Sequence, residues 1–193
     1  KSLGSAPKAL VRKWLSAASE RRLIEAAVGS DPSLADIVRM VHPKPNDPAR
    51  EAFYAWLLGK PYAVDALPAQ LQDYLVYKFD RSQALPEVPF QLLTALGLNR
   101  NEWATVARRG NWHMVRMNLN TFARHGVFEI KGMAQVVAKK LRDHAAIYKA
   151  RVLPYQLLAA YRATGPDIPA VVRDALQDAM EIALANVGTF DGR

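Results

Sequence analysis

The chain has 193 residues, half of them hydrophobic and 23% charged, with a formal net charge of +8 and no cysteine. That length can bury a sizeable core, the composition is globular and not disordered, and disulfides, cysteine-based metal sites and cysteine nucleophiles are excluded. The lack of cysteine fits a reducing, cytoplasmic compartment, no apolar run approaches the roughly 18 residues of a membrane span, and Arg12 and Lys13 interrupt residues 1–15 as a signal peptide.

Helical periods with start and stop signals run along the whole chain, and alternating strand patterns are nearly absent. Ser5, with Pro7 in the first turn, opens a helix to about Ala18. A short helix from Leu23 to Val28 stops at Gly29, and Asp31, Pro32 or Ser33 opens the next, through Leu34, Ile37, Val38 and Val41. Helices follow over Pro48–Gly59, Pro68–Arg81 and Pro89–Gly97. Asn101 caps one to Arg109, Gly110 stops it, and another covers Asn111–His125. Met133–Tyr148, Pro154–Ala163 and Pro169–Val187 complete a set of about ten. No strict repeat period and no Gly- or Ser-rich linker occurs, so residues 1–193 read as one all-α domain, an irregular HEAT-like helical-repeat solenoid.

The charge is uneven. Residues 166–193 hold two basic and five acidic residues, whereas residues 1–165 hold 24 basic and 13 acidic. So basic a stretch is a candidate for nucleic acid or another anionic partner. Its oddest part is RRGNWHMVRMNLNTFARHG, residues 108–126. At about 100° per residue, His113, Arg116, Asn120 and Arg124 share an arc of roughly 80°, with Met117 intruding. Trp112, Val115, Leu119, Phe122 and Ala123 form the core-facing stripe. A polar helix face normally mixes charge signs, because opposite pairs at i,i+4 add stability. This face carries no acid, which points either to a plain solvated face or to an anionic partner.

Catalytic patterns are missing. His42, His113, His125 and His144 form no compact ligand spacing, and there is no GxSxG, P-loop or GxGxxG motif. Asp174, Asp178 and Glu181 share one face of the last helix, which reads as a solvated acidic face before a cation site. The segment RMVHPKPNDPAR, residues 39–50, is stiffened by three prolines and presents Arg39, His42, Lys44 and Arg50. Its prolines serve either as helix stops, with His42 as a cap, or to hold a binding loop extended. Arg12, Lys13, Arg21 and Arg22 form one further basic group, and Lys139, Lys140, Arg142, Lys149 and Arg151 another. Trp14, Trp56, Trp103 and Trp112 could stack on bases, although aromatics at helical spacing more often belong to a core.

Several blocks together resemble the TROVE domain of the Ro autoantigen family. They are DIVRMVHPKP (36–45), LLTALGLNRNEWATVARRGNWHMVRMNLNTFARHGVFE (92–129), AIYKARVLPYQLLAAYRATG (146–165) and IPAVVRDALQDAMEIALANV (168–187). The resemblance implies an α-helical HEAT-like solenoid that forms part of the TROVE ring. It implies a ribonucleoprotein that binds Y-type small noncoding RNA on the outside of the ring. The single-stranded 3′ ends of misfolded RNAs enter the central hole, in RNA quality control and stress response. Bacterial relatives can partner with an exoribonuclease through a tethering Y-like RNA. The family is not enzymatic, and no cofactor or metal is expected in this segment, which lacks DxSxS. The family histidine that matters for Y RNA binding matches His42, with Arg39 and Lys44 beside it. Just upstream the family has basic residues where this chain has GSDPS (29–33). Asn118 matches a family asparagine and reads as structural. Further TROVE helices are expected before Lys1 and a von Willebrand factor A domain after Arg193, where residues 187–193 trail off without a closing element.

The expected RNA-binding residues are therefore Arg39, His42, Lys44, Arg109, His113, Arg116, Asn120, Arg124, Lys139, Lys140 and Arg142. Cations neutralise phosphates, and arginine also stacks on unpaired bases. The rival reading is a helical scaffold for an acidic protein partner. A nuclease would need clustered carboxylates or a metal-bound water, and the sequence offers neither.

Overall fold

Local chemistry starts most of the helices. In a computed structural model, which describes residues 4–29 and 31–187, thirteen α-helices and two 3-10 turns are joined by short connectors, with no strand among the described residues. The chain gathers into two compact units, one running to Gly97 and the other from Leu98, although nothing in composition marks that boundary.

The first unit contains α1 (Ser5–Ala17), α2 (Glu20–Ala26), α3 (Leu34–Val41), α4 (Pro48–Leu57), α5 (Ala69–Phe79) and α6 (Phe90–Thr94). Side chains of Ser19, Ser33 and Asp47 accept from backbone N–H groups at the starts of α2, α3 and α4, satisfying donors the helix cannot. The cap of α1 is Gly4 and not Ser5. Leu15, Leu23, Ile24, Leu34, Val38, Val41, Phe53 and Leu71 form the buried centre. The second unit contains α7 (Arg100–Arg109), α8 (Trp112–Met117), α9 (Leu119–Arg124), α10 (Met133–Leu141), α11 (His144–Ala150), α12 (Pro154–Arg162) and α13 (Ala170–Ala183). The cap of α7 is Asn99, two residues before the expected Asn101. Its side chain accepts from Glu102 N–H at 3.0 Å, and Glu102 Oε2 accepts from Asn99 N–H at 2.6 Å. Helix α13 packs on α10, α11 and α12 through Val172, Ala175, Leu176, Ala179 and Ala183, all fully buried.

Two expected helices are broken, each by a side chain that competes with the backbone. Asn118 Nδ2 donates to the Met114 carbonyl at 2.8 Å, the acceptor that Asn118 N–H would use in an unbroken helix. Its N–H turns instead to Val115 O, three residues back, and α8 ends. The structural reading of Asn118 is thereby given its geometry. Asp143 interrupts the expected Met133–Tyr148 helix, because Oδ1 accepts from Ala146 N–H at 3.0 Å and caps α11. The expectations at the chain ends concern Lys1 and residues beyond Val187, which lie outside the described residues, as does Ser30 of the GSDPS block. No helix among the described residues is long and apolar enough to cross a membrane.

Candidate nucleic-acid interface

In the first unit the candidates lie at the end of α3. Val38 and Val41 are buried, which turns Arg39 outward. Its Nη1 donates to Asp36 Oδ1 at 3.1 Å, with both side chains more than half exposed. Hydrogen bonding from Ser33, then from Arg39, holds the Asp36 carboxyl below its ordinary value. His42 closes the helix in the left-handed region, at φ 47° and ψ 63°, its N–H donating to Val38 O. A residue with a Cβ is disfavoured there, and the following Pro43 restricts it further. The backbone, not the ring, supplies this cap, and the exposed imidazole stands clear beside exposed Lys44. Arg50, expected on the same loop, points inward instead. Its Nη1 and Nη2 donate to Leu15 O and Ala18 O, both at 2.9 Å, the carbonyls that end α1.

In the second unit the acid-free stretch 108–126 divides between α7, α8 and α9. The core stripe is largely as expected: Trp112, Val115, Leu119 and Phe122 are buried, Met114 joins them, and Ala123 is only partly buried. His113 and Arg124 are exposed, as are Arg108 and Arg109 in the last turn of α7. Arg116 is half-buried. Its Nη1 donates to Gln156 O at 3.3 Å, and its guanidinium lies 5.7 Å from the centre of the Trp112 ring. Nε is buried without a partner, and burial lowers the guanidinium pKa from its ordinary value. Asn120 joins two elements far apart in sequence. Nδ2 donates to Ala163 O at 2.8 Å, and Oδ1 accepts from Gly165 N–H at 2.9 Å.

On α10, Lys139 is exposed, but Lys140 folds back over the end of α7. Its Nζ donates to the carbonyls of Ala107 (3.3 Å), Arg108 (2.5 Å) and Gly110 (2.5 Å), and burial lowers its pKa. Arg142 pairs with Asp178 at 2.5 Å. That contact pairs one of the three acids on the solvated face expected for α13, and Asp174 and Glu181 stay exposed; among the described residues no three His, Asp or Glu side chains gather as a metal cage.

The structure thus divides the expected residues. His42, Lys44, His113, Arg124 and Lys139 stand exposed, Arg39 does so while paired with Asp36, and Arg109 is exposed in the last turn of its helix. Arg116, Asn120, Lys140 and Arg142 each hold an intramolecular partner 33 or more residues away. The tryptophans divide as well. Trp103 is buried and stacked on His125 at 4.8 Å, and Trp112 is buried with Nε1 donating to Leu141 O at 3.0 Å. Trp56 packs on Phe53, and Trp14 is exposed. Two tyrosines outside the expected set, Tyr148 and Tyr155, are 50% and 66% exposed. The signal for them was present: each flanks the Arg151–Leu153 break between two helices, outside the apolar stripe of Ile147 and Leu157.

No family model matches the sequence, and no curated protein does. Among solved structures, the crystal structure of the Deinococcus radiodurans Ro (RSR) protein matches 97% of this chain with a TM-score of 0.62 and 23% sequence identity. The chain spans 43% of the length of that protein. The likeness is one of fold, and it supports the all-α, Ro-like architecture read from the sequence.

Proposed function

We propose that this chain is an RNA-binding module of a Ro-like ribonucleoprotein. It acts by binding and not by catalysis, without a cofactor of its own. The observation that carries the reading is the acid-free stretch 108–126. It keeps Arg108, His113 and Arg124 exposed after the fold has satisfied its internal contacts. Exposed cations neutralise phosphates and release counterions, a source of affinity that does not depend on base sequence. The Ro-like fold supports RNA as the polyanion. On this reading the ligands are Y-type RNA and the single-stranded 3′ ends of misfolded RNA. The setting is cytoplasmic RNA quality control and stress response, and an exoribonuclease is recruited through tethering RNA.

The test is fluorescence anisotropy with a structured RNA carrying a single-stranded 3′ tail, beside blunt duplex RNA and duplex DNA, at several salt concentrations. The expected result is tighter binding to the tailed RNA with a steep salt slope, weakened by combined Arg124→Glu and Lys139→Glu. Arg116→Glu is a poor probe, because it also removes a half-buried contact to Gln156. Equal affinity for all three ligands would sink the reading. So would a saturable complex with an acidic protein and no RNA binding, which is what a helical scaffold predicts.

A further inference from the structure

From His144 to Pro166 the chain has no Asp or Glu. This segment makes α11, its connector and α12, and exposes Lys149, Arg151 and Arg162. Among the described residues, carboxylates are found at its borders and on the packed helix α13. Asp143 accepts the capping N–H of Ala146, and Asp167 follows the segment. On α13, Asp178 pairs with Arg142, while Asp174 and Glu181 are exposed. Tyr148, 50% exposed, and Tyr155, 66% exposed, stand on either side of the connector. A large ring normally gains by burial, so two rings left in water beside cations that hold no ion pair among the described residues suit a flat, anionic partner.

The platform is anchored to the core. Ile147 and Leu157 are fully buried, and Val152 is nearly so. Asn186 Nδ2 donates to Ile147 O at 3.2 Å and to Val152 O at 2.9 Å, fixing the connector to the 3-10 turn that follows α13. Between the tyrosines, Arg151 closes α11 in the left-handed region at φ 48° and ψ 34°, where glycine would be the ordinary choice. Strain of this kind persists where the surroundings enforce it and clusters at binding sites.

We propose that Tyr148, Arg151 and Tyr155 form a stacking site for unpaired bases of single-stranded RNA, with Lys149 and Arg162 facing its phosphates. The proposal rests on the RNA-binding reading and assigns it a site outside the stretch 108–126. Tyrosine faces accept any base, and arginine adds charge and a second stacking plane.

The test uses the whole chain and a fluorescent twelve-nucleotide oligouridylate, with a blunt RNA duplex as comparison. Tyr148→Ala and Tyr155→Ala should each weaken oligouridylate binding roughly 5- to 150-fold, while duplex affinity changes less than about twofold. Tyr155→Phe should retain binding, because stacking uses the ring. Arg151→Gly, which suits the left-handed backbone, should keep the fold and still lower affinity. In the unsubstituted protein, 4-thiouridine placed in the oligonucleotide should crosslink to peptides containing Tyr148 or Tyr155; crosslinks confined to other peptides would overturn the site. If the protein binds oligouridylate and both alanine variants bind it equally well, the site is wrong and the RNA-binding reading stands. If it binds no RNA, both fall. If poly-glutamate binds and is lost in parallel with the tyrosines, the surface recognises an acidic peptide and the proposal is overturned.

Discussion

The connector from α3 to α4 and the surface built by α8, α9 and α10 carry similar runs of cations in sequence, yet they use them differently. In the connector His42 and Lys44 reach into solvent, because the backbone of His42 closes α3 and leaves its ring unneeded. On α10 the side chain of Lys140 does the closing, for α7, and its charge is turned inward onto three carbonyls. Arg12 does the same at Val41 O, and Arg50 at Leu15 O and Ala18 O. Part of the basic excess is therefore structural, since cations at helix C-termini complement both the unpaired carbonyls and the helix dipole. Net charge overstates the surface available to a polyanion.

Substitutions can break this comparison at either end. The largest effect is expected for Lys140→Met, which strips a donor from three carbonyls and should lower unfolding free energy by about 2–3 kcal/mol, measured by urea denaturation. Little loss would mean that solvent replaces the ammonium and that Lys140 belongs with the exposed cations. Asn120→Ala should cost about 1–2 kcal/mol by the same measurement, because it unpairs Ala163 O and Gly165 N–H together. Tailed-RNA affinity of that folded variant should be nearly unchanged. His42→Gly sharpens the contrast from the other side. It removes a Cβ from the left-handed region, so stability should hold or rise by up to about 1 kcal/mol, while tailed-RNA affinity falls. Single substitutions His113→Ala and Arg124→Ala should leave thermal stability unchanged. Arg124→Ala should reduce the salt slope by about 1.

The smallest effect lies in a polar cluster that needs no long-range partner. Hydrogen bonds from Gln83 and Ser82 lower the Asp80 carboxyl from 3.8 to about 2. A depressed carboxyl contributes stability above its unfolded value, and that contribution is lost as pH falls through about 2. An NMR titration should place the Asp80 midpoint there, and Gln83→Ala should raise it. An Asp80 midpoint near 3.8 in the unsubstituted protein would show that these local bonds do not persist in solution.

Much of the fold was legible because its causes are local. The stripe of Trp112, Val115, Leu119 and Phe122 is buried as the helical period requires, Ser33 is the cap among the openings offered for its helix, and Pro48 and Pro154 start theirs at the expected places. The misses are local competitions too close to decide from spacing. Asn118 and Asp143 each had to be weighed between helix interior and cap, and both side chains took the backbone partner. The candidate site was less legible. Four of the expected residues proved to be fastened elsewhere, and the exposure of Tyr148 and Tyr155 is set by the packing of their two helices.

By itself the sequence determined an all-α chain, the buried face of most helices, and the cation-rich, acid-poor stretches. Those properties depend on residues three or four positions apart, within one or two turns. Only the tertiary structure decided which cations remain for a partner. Lys140 meets Ala107 across 33 residues, Arg50 meets Leu15 across 35 and Asn120 meets Ala163 across 43. A charged side chain has the same identity whether it faces solvent or the end of a distant helix, and packing alone brings that helix end within reach of a hydrogen bond.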